Sequence, residues 1–483
     1  MRAPVGVSAK AAHATPIKRE RLATLFTQRT AVLIPLGLAI WTLLWQLGSS
    51  SLFVDETYSW RAASASLGGV FSQVRVHEVA PPAYYLLLHA WLGVFGDATE
   101  WSMRLLSVLA GLSLVAAVYW LGRLLGGPAV GLLAALLSAV SPLVVLYAQE
   151  VRAYVFAMLA ITLAAAAAVQ ATRSARHHTR WLAGAAGASI AAIWLHYTAL
   201  LVLVPLCVYI WTSNLPRRAR RLYLASCVVA TAVIAPLMVI QLRAGHQGGV
   251  APYGRLTLKN VLRVIGTPFD GRAGEPTALL LFGAVLAGGA IAALLRRSRH
   301  SKERLLLVGA AALAPLTVLA VTIAAKLFDQ PTYDSLITRY SAVAAPFILI
   351  ALAWWILTAR RPLGVVLTAG TLVVALSALI PSYSVRQPNL RAAFERISSG
   401  YRTGDGVLAG APLFADYYIA RFRQAHRTLS FQRDPAAPGT TRLWVLTAPE
   451  SAASEVQALR SRGWRTAERA HFSPGVELLL ETH

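Results

Sequence analysis

Charged residues are scarce in this chain, and acidic residues are the scarcest. Only 14% of the 483 residues are charged, with 21 Asp and Glu against 45 Lys and Arg, whereas 56% are hydrophobic. A soluble protein of this length does not need so much apolar sequence. The composition therefore argues against an ordinary soluble enzyme and indicates an α-helical polytopic membrane protein.

The sequence has only two cysteines, and its amino-terminal part does not have the pattern of a cleavable signal peptide. The two cysteines, Cys207 and Cys227, lie in apolar runs without metal-ligand spacing, which argues against a disulfide framework. Residues 1–30 are polar and basic, and the apolar run after them has no small-residue cleavage site. We predict a cytoplasmic amino-terminus over residues 1–30, followed by a first membrane-spanning helix.

Apolar runs recur from residue 31 to residue 380. A helix needs about 20 apolar residues to cross a bilayer. The pair between Trp181 and Trp211 could be one helix, but basic clusters flank both of its ends. The positive-inside rule then requires two crossings, joined near His196-Tyr197. The eleven predicted spans are Ala31–Leu47, Leu105–Leu121, Ala129–Leu146, Tyr154–Ala171, Trp181–Leu195, Thr198–Trp211, Leu222–Ile240, Ala278–Leu295, Leu305–Ala325, Tyr340–Leu357 and Gly364–Ile380.

The two signs of charge separate across these spans. The inner segments hold many Lys and Arg but only two acids, Glu20 and Glu303, so the net charge of +24 reflects topology and we expect no nucleic-acid partner. Because acids contribute little to topology, their position on one side indicates a working site on the outer face of the cytoplasmic membrane. The outer acids before residue 386 are Asp55, Glu56, Glu78, Asp97, Glu100, Glu150, Asp270, Glu275, Asp329 and Asp334.

The composition changes after Ile380, which divides the chain into a spanning domain over residues 31–385 and a tail over residues 386–483. The first outer loop covers residues 49–103. The tail predicts a small α/β domain outside the cytoplasm, in which we find no catalytic motif. Its predicted elements are two helices, "LRAAFERI" and "ASEVQALRSRG", and three strands, "DGVLAG", "LWVLTA" and "VELLLE".

Two adjacent carboxylates, Asp55 and Glu56, follow the first predicted span. Ionised groups near hydrocarbon are costly, so they are usually functional or paired. They are either solvated loop acids or they include a general base. Where a sugar leaves with a phosphate group, the leaving group needs no proton, and one carboxylate near the acceptor hydroxyl suffices. Glycoside hydrolysis, in contrast, needs a separate acid.

The segment "HEVAPPAYYLLLHAW" comes next. Pro81-Pro82 stops any helix upstream and can open another. The aromatic residues after it predict a short helix along the membrane surface. His77 and Glu78 either make polar contacts within the loop or serve as two ligands of a divalent cation. A divalent cation is the one cofactor that the sequence leaves possible.

The segment "SPLVVLYAQEVRAYVFAM" places polar residues in a tight outer turn between two spans. Glu150 and Arg152 either balance each other in an ordinary hairpin, or Arg152 holds a phosphate, which suits a permanently charged planar guanidinium. Gln149 in this turn and Tyr154 after it are further binding candidates. Other candidates lie at the same level, and each alone is typical of an interface anchor: Arg104, His196, Tyr197, Arg339 and Tyr340.

Six motifs in this order resemble the C-type (GT-C) membrane glycosyltransferase superfamily, with the strongest likeness to its bacterial protein O-mannosyltransferase and lipid A aminoarabinose transferase branch. The resemblance covers most of Ala31–Pro346. The motifs are "VDE", "H…PPAYYLLLHAW", "RLLSVLAG", "SPLVVLYAQEVRAY", "WLHYTAL" and "RYSAVAAP".

The resemblance implies inverting transfer of a sugar, mannose or another hexose or pentose, from a polyprenyl-phosphate donor at an outward-facing site. It implies Asp55 as the base, with Glu56 beside it, and it makes Arg104, Arg152 and Arg339 candidates for contacts to the donor phosphate or the acceptor. The large outer domain that some protein mannosyltransferases insert between later spans is missing here. The acceptor therefore stays open among a cell-envelope glycan, a glycolipid and a protein.

A lipid or polysaccharide transporter is the alternative interpretation. A transporter would also have many spans, but internal repeats and charges near the membrane midplane would be expected of it. The sequence shows no such repeats, and its charges cluster at the outer ends of the spans.

Overall fold

Nineteen α-helices and a five-stranded sheet make up the described part of the chain. The structure is a computed structural model that describes residues 30–96, 98–245, 256–271, 276–297, 301–327, 338–383, 388–402, 404–409, 415–425, 430–431, 440–472 and 476–482. Four of the outer acids, Asp97, Glu275, Asp329 and Asp334, and almost all of the basic amino-terminus lie outside these residues. The helices are α1 (Leu33–Leu44), α2 (Val54–Ala63), α3 (Leu67–His77), α4 (Ala83–Phe95), α5 (Glu100–Gly126), α6 (Pro128–Ala139), α7 (Pro142–Ala148), α8 (Tyr154–Arg173), α9 (His178–Leu195), α10 (Ala199–Thr212), α11 (Arg217–Gly245), α12 (Leu258–Ile265), α13 (Thr277–Arg297), α14 (Lys302–Leu327), α15 (Ala345–Thr358), α16 (Arg361–Ser382), α17 (Leu390–Gly400), α18 (Asp416–Ala425) and α19 (Pro449–Arg460).

Helices occupy every predicted span, which confirms an α-helical polytopic membrane protein. Six of the described helices, α5, α8, α11, α13, α14 and α16, are long and apolar enough to cross a membrane. Other predicted spans fall on shorter apolar helices, among them α1 and α10. Two short 3₁₀ turns, Thr338–Tyr340 and Ala342–Ala344, precede α15, so the span predicted from Tyr340 begins with an irregular segment.

The predicted span Ala129–Leu146 is wrong as a single helix. It consists of α6 and α7, which meet at an angle of 62°. The Ser141 hydroxyl accepts a hydrogen bond from the amide of Val144 and so caps α7, while Pro142 occupies its first turn. Proline has no amide hydrogen to continue an upstream helix but suits a helix start. The bend directs the chain into the turn at residues 149–153.

The turn at His196-Tyr197 is confirmed. It separates α9 from α10, and α9 packs extensively on α8. The basic clusters before α9 and after α10 therefore lie at the ends of these helices remote from His196. A break between two helices at this point is what the charge distribution predicted.

Three short helices, α2 to α4, form the first outer loop. Pro82 is the N-cap residue of α4, which confirms the helix predicted after Pro81-Pro82. Tyr84, Tyr85 and Leu88 are buried, because α4 packs on α2, α5 and α9. The loop is therefore a folded layer over the ends of the spanning helices.

The tail folds around a mixed sheet of five strands: β1 (Gly406–Ala409), β2 (Ser430–Phe431), β3 (Arg442–Thr447), β4 (Arg465–Phe472) and β5 (Val476–Thr482). Their order in the sheet is β2-β1-β3-β5-β4. The β1–β2 and β1–β3 pairs are parallel, and β5 pairs antiparallel with β3 and β4. The predicted helices appear as α17 and α19, and the predicted strands as β1, β3 and β5. Sequence reasoning missed α18, β2 and β4.

The tail docks on the first outer loop through polar contacts. Glu100 accepts hydrogen bonds from Arg391 and, at 2.9 Å, from the Tyr418 hydroxyl. Tyr418 in turn accepts one from the amide of Leu52 at 2.9 Å, and Arg391 donates to the carbonyl of Gly48. The segment that leads into α2 is thus held from both the spanning bundle and the tail.

Candidate functional site

Asp55 and Glu56 stand in the first turn of α2, where carboxylates are favoured by the helix dipole. They point to different partners. Glu56 also accepts a hydrogen bond from the amide of Phe53, so it caps the helix that carries both acids. Their environments separate two roles that the sequence could not distinguish.

Glu56 forms a buried ion pair with Arg104 of α5. The two side chains are 0% and 2% exposed, and Arg104 Nε and Nη2 donate to Glu56 Oε1 and Oε2 at 2.9 and 2.7 Å. Arg104 also donates to three backbone carbonyls between residues 47 and 51. Glu56 in addition accepts from the amide of Val151 at 3.0 Å. With its lone pairs engaged in this way, Glu56 is suited to positioning the loop and not to accepting a substrate proton.

Arg152 pairs with Glu78 and not with Glu150. Its Nη1 lies 2.9 Å from Glu78 Oε1, and Nη2 lies 3.3 Å from Oε2. Nη1 also approaches the backbone carbonyl of Asp55 and the hydroxyl of Ser59 at 3.2 Å each. The hairpin interpretation of Glu150 and Arg152 is therefore corrected, because these residues flank a non-helical turn and Arg152 turns toward the first loop.

Asp55 meets Arg339 at a more open pair. Asp55 Oδ2 lies 3.2 Å from Arg339 Nη1, and the side chains are 30% and 26% exposed. The guanidinium also lies over the Tyr340 ring at 5.4 Å. Among the described residues, Arg339 Nε has no hydrogen-bond partner although it is buried. This pair leaves a carboxylate and a guanidinium within reach of a small ligand.

His196 and Tyr154 form an aromatic wall beside these charges. Their ring centroids are 4.9 Å apart, and the Tyr147 ring lies 4.5 Å from that of Tyr154 in a tilted arrangement. Burial, together with the charges of Arg152 and Arg339, lowers the pKa of His196 to about 3. His196 is therefore neutral at physiological pH. Its Nδ1 accepts from the amide of Thr198 at 3.3 Å, so the ring proton resides on Nε2.

The remaining predicted residues support the site or lie at its edge. Gln149 donates to carbonyls at the end of α1, including that of Trp45 at 2.9 Å. The Glu150 carbonyl accepts from Ser107. His77 is exposed, and Glu78 beside it is taken by Arg152, so the structure does not join them as a metal site. Across the described residues, no three His, Cys, Asp or Glu side chains form a metal-binding group.

Sequence reasoning missed Gln241, which ties three elements together. Its Nε2 donates to the carbonyls of Val74 and Ala80 at 3.0 and 2.9 Å, and its Oε1 accepts from the Tyr197 hydroxyl at 2.7 Å. The segment it holds contains Glu78. A lone amide side chain near the end of an apolar span is a signal that could have identified it.

Asp270 supports the turn that carries Arg339. Its carboxylate accepts a hydrogen bond from the Thr338 hydroxyl and lies 3.3 Å from Arg263 Nε. A second bond, 2.8 Å long, joins the hydroxyls of Thr267 and Ser341. The segment at residues 256–271 thus fixes the 3₁₀ turns before α15.

A cavity of about 710 Å³ lies at the carboxyl-terminal end of α1 and is walled mainly by apolar side chains of α1 and α16. None of the predicted site residues lines it. This cavity is therefore separate from the candidate site, the cluster around Asp55, Arg152 and Arg339.

Comparisons with known proteins identify a matching family and similar folds. Residues 79–240 match the family described as dolichyl-phosphate-mannose-protein mannosyltransferase. By sequence, no curated protein matches the chain significantly. Among solved structures, the fold is similar to ArnT from Cupriavidus metallidurans bound to undecaprenyl phosphate, with a TM-score of 0.55, 13% identity and coverage of 93% of this chain and 97% of that one.

A second similar structure is the archaeal oligosaccharyltransferase AglB from Archaeoglobus fulgidus, in complex with an inhibitory peptide and a dolichol-phosphate. The TM-score is 0.51 at 12% identity, covering 89% of this chain and 70% of that one. Identities this low establish the fold alone. The resemblance predicted from the six sequence motifs is confirmed: the chain has the fold of the C-type membrane glycosyltransferases.

Proposed function

We propose that this protein transfers a sugar from a polyprenyl-phosphate carrier to an acceptor hydroxyl, with inversion, on the outer face of the cytoplasmic membrane. The observation that carries the proposal is the partly exposed pair of Asp55 and Arg339. Both similar structures contain a polyprenyl-type phosphate according to their descriptions. A lipid-linked donor cannot leave the bilayer, so its base has to stand where the phosphate emerges.

Asp55 is the proposed base. The acceptor oxygen attacks the anomeric carbon, its proton passes to the Asp55 carboxylate, and the bond between the anomeric carbon and the phosphate oxygen breaks. The polyprenyl phosphate departs with the bonding electrons and needs no proton. One base therefore completes the reaction, which fits a site in which the neighbouring carboxylates, Glu56 and Glu78, are each engaged by an arginine.

Arg339 is the proposed ligand of the donor phosphate. Within the described part of the chain, its one side-chain hydrogen bond is to Asp55 and its Nε has no hydrogen-bond partner, so donors are available for an oxyanion. A phosphate that draws Arg339 toward itself would also release the Asp55 carboxylate for the acceptor. Arg152, which is bidentate to Glu78, is better suited to fixing the backbone of Asp55.

The sugar and the acceptor remain parts of the proposal. Mannose follows from the description of the matching family, and another hexose or a pentose fits the same chemistry. The acceptor is a cell-envelope glycan, a glycolipid or a protein. In the proposed orientation the amino-terminus is cytoplasmic and the tail domain is outside.

Transfer of label tests this function. Membranes containing the protein are incubated with a set of radiolabelled polyprenyl-phosphate sugars, and membranes containing Asp55→Asn at equal abundance serve as the control. We expect label to move from the lipid to an acceptor only with the wild type. Movement of intact labelled lipid across the membrane without transfer would instead support the transporter.

A further inference from the structure

A second cleft lies between the first outer loop and the tail. It has a volume of about 340 Å³, which is within the range of small-ligand sites. Its walls come from the end of α2, the end of α4 and one face of α18, so the tail domain provides part of it. The side chains that give it polar or aromatic character are Trp60, Ser64, His89, Tyr417, Arg421 and Gln424.

The lining offers an aromatic surface and hydrogen-bonding groups of both kinds. Trp60 is partly exposed and is held edge-on by the buried Tyr417 at 5.2 Å. His89 Nδ1 lies 2.8 Å from the carbonyl of Ala63, which can only accept. Nδ1 is therefore the donor, and in the neutral ring Nε2 is an acceptor. Gln424 is exposed and its amide can both donate and accept.

This combination favours a neutral, polyhydroxylated ligand. Each sugar hydroxyl both donates and accepts, and the apolar face of a sugar ring can pack on an indole, which joins an apolar body to a polar edge. None of the described residues that line the cleft is a carboxylate, so they offer a cationic ligand no counter-charge. Arg421, the arginine among them, already donates to the carbonyl of Ala98. The cleft belongs to the outer layer and the tail, which separates it from the prenyl chain of a donor.

Helix α2 connects the cleft to Asp55. Asp55 stands in the first turn of this helix, and Ser64 follows its last residue. Nine residues of helix span about 13 Å at 1.5 Å per residue, a distance that a short oligosaccharide covers. Tyr58 lies between the two places: burial raises its pKa, the charge of Arg61 opposes that rise, and the carboxylates of Asp416, Glu78 and Asp55 add to it.

The walls of the cleft are fixed relative to the site. The Tyr417 hydroxyl donates to the carbonyl of Ala98 at 2.7 Å, and Arg421 donates to the same carbonyl at 3.2 Å. An ion pair of 3.7 Å joins Arg61 of α2 to Asp416 of α18. A ligand held here would keep a constant distance from Asp55.

We propose that this cleft binds the glycan part of the acceptor, and that the tail domain serves to hold it while its terminal hydroxyl reaches Asp55. The inference rests on the proposed function, which it narrows from any acceptor to a neutral oligosaccharide, either free or as the head of a glycolipid.

Binding is tested without any donor. Saturation-transfer NMR on the full-length protein in nanodiscs would use neutral hexasaccharides of glucose, mannose and arabinose, each free and lipid-linked. We expect the wild type to bind at least one of them, and Trp60→Ala and Gln424→Ala to bind it about tenfold more weakly. Trp211→Ala removes an exposed tryptophan outside the cleft and should bind as the wild type does.

The outcomes separate this inference from the proposed function. If the wild type binds none of the sugars, or if Trp60→Ala and Gln424→Ala bind like Trp211→Ala, the cleft is not an acceptor site, even where transfer from the donor continues. In transfer assays the two cleft variants should raise the acceptor KM and leave kcat and donor KM nearly unchanged. If the wild type did not bind the donor, that result would contradict the proposed function and not the cleft assignment. Melting temperatures confirm that the variants are folded.

Discussion

At the scale of the residue, three acids of the first outer loop have three different environments. Glu56 forms a buried ion pair with Arg104, and both carboxylate oxygens of Glu78 contact Arg152. Asp55 is partly exposed and pairs with Arg339. Adjacency in sequence made Asp55 and Glu56 look alike. Helix geometry separates them, since consecutive residues on a helix point about 100° apart. Only the folded contacts identify which acid is accessible to an acceptor.

The buried pair should carry stability and not chemistry. Arg104→Met leaves the Glu56 carboxylate buried without its partner, which costs about 3–5 kcal/mol. We expect a large fall in melting temperature or in the yield of folded protein, measured in detergent by tryptophan fluorescence. Asp55→Asn is the matched control and should melt close to the wild type. An Arg104→Met protein with wild-type stability would contradict the assignment.

Arg339 should carry affinity for the donor phosphate. Arg339→Lys keeps the charge but loses the planar fork of donors, so polyprenyl phosphate should bind about tenfold more weakly while the fold stays intact. Titration of the purified protein with undecaprenyl phosphate measures this. Arg263→Lys is the control variant, because it makes the same change in an arginine that contacts Asp270 and not Asp55. Equal affinity of Arg339→Lys and the wild type would remove Arg339 from the phosphate site.

At the scale of the element, the predicted helices were largely right because hydropathy reports burial in lipid. The break between α6 and α7 was missed, since the mean hydropathy of a segment does not show where a helix bends. Ser141-Pro142, a capping residue before a proline, was the local signal. In the tail, α18 and β4 were missed. The β4 residues alternate between exposed and half-buried positions, and with few large apolar side chains they gave no strand pattern.

A substitution of Gln241 tests whether helix α11 positions the site. Gln241→Leu removes the donors to the carbonyls of Val74 and Ala80, and each unsatisfied buried group costs about 1–3 kcal/mol. The segment with Glu78 should loosen, and kcat should fall about tenfold. Faster hydrogen exchange at residues 74–80 would report the loosening directly. Thr231→Val, on the same helix but away from that segment, should change neither quantity; equal behaviour of the two variants would argue against a positioning role.

At the scale of the whole molecule, the chain brings together groups far apart in sequence. Asp55 and Arg339 are separated by 284 residues, and Arg152 and Glu78 by 74. The sequence predicted that these residues share one membrane face, because they all stand at ends of spans. It could not predict their pairing, which depends on how the helices pack. The docking of the tail domain through Glu100 and Tyr418 could likewise not be predicted from the sequence.

The charge distribution predicts the orientation in the membrane, and this prediction has a direct test. A reporter active only outside the cytoplasm, fused after His483, should be active, because an odd number of spans places the tail opposite the basic amino-terminus. A reporter active only in the cytoplasm, fused at the same position, is the control and should be silent. The reverse pattern would contradict eleven spans and with them an outer site.

The central claim is that Asp55 accepts the acceptor's proton. Single-turnover transfer by purified Asp55→Asn, with saturating donor, tests it most directly. The substitution keeps the size and hydrogen bonding of the side chain but removes its basicity. The predicted result is a fall in rate of about two to four orders of magnitude, with donor affinity and melting temperature nearly unchanged. A rate close to that of the wild type would contradict the claim.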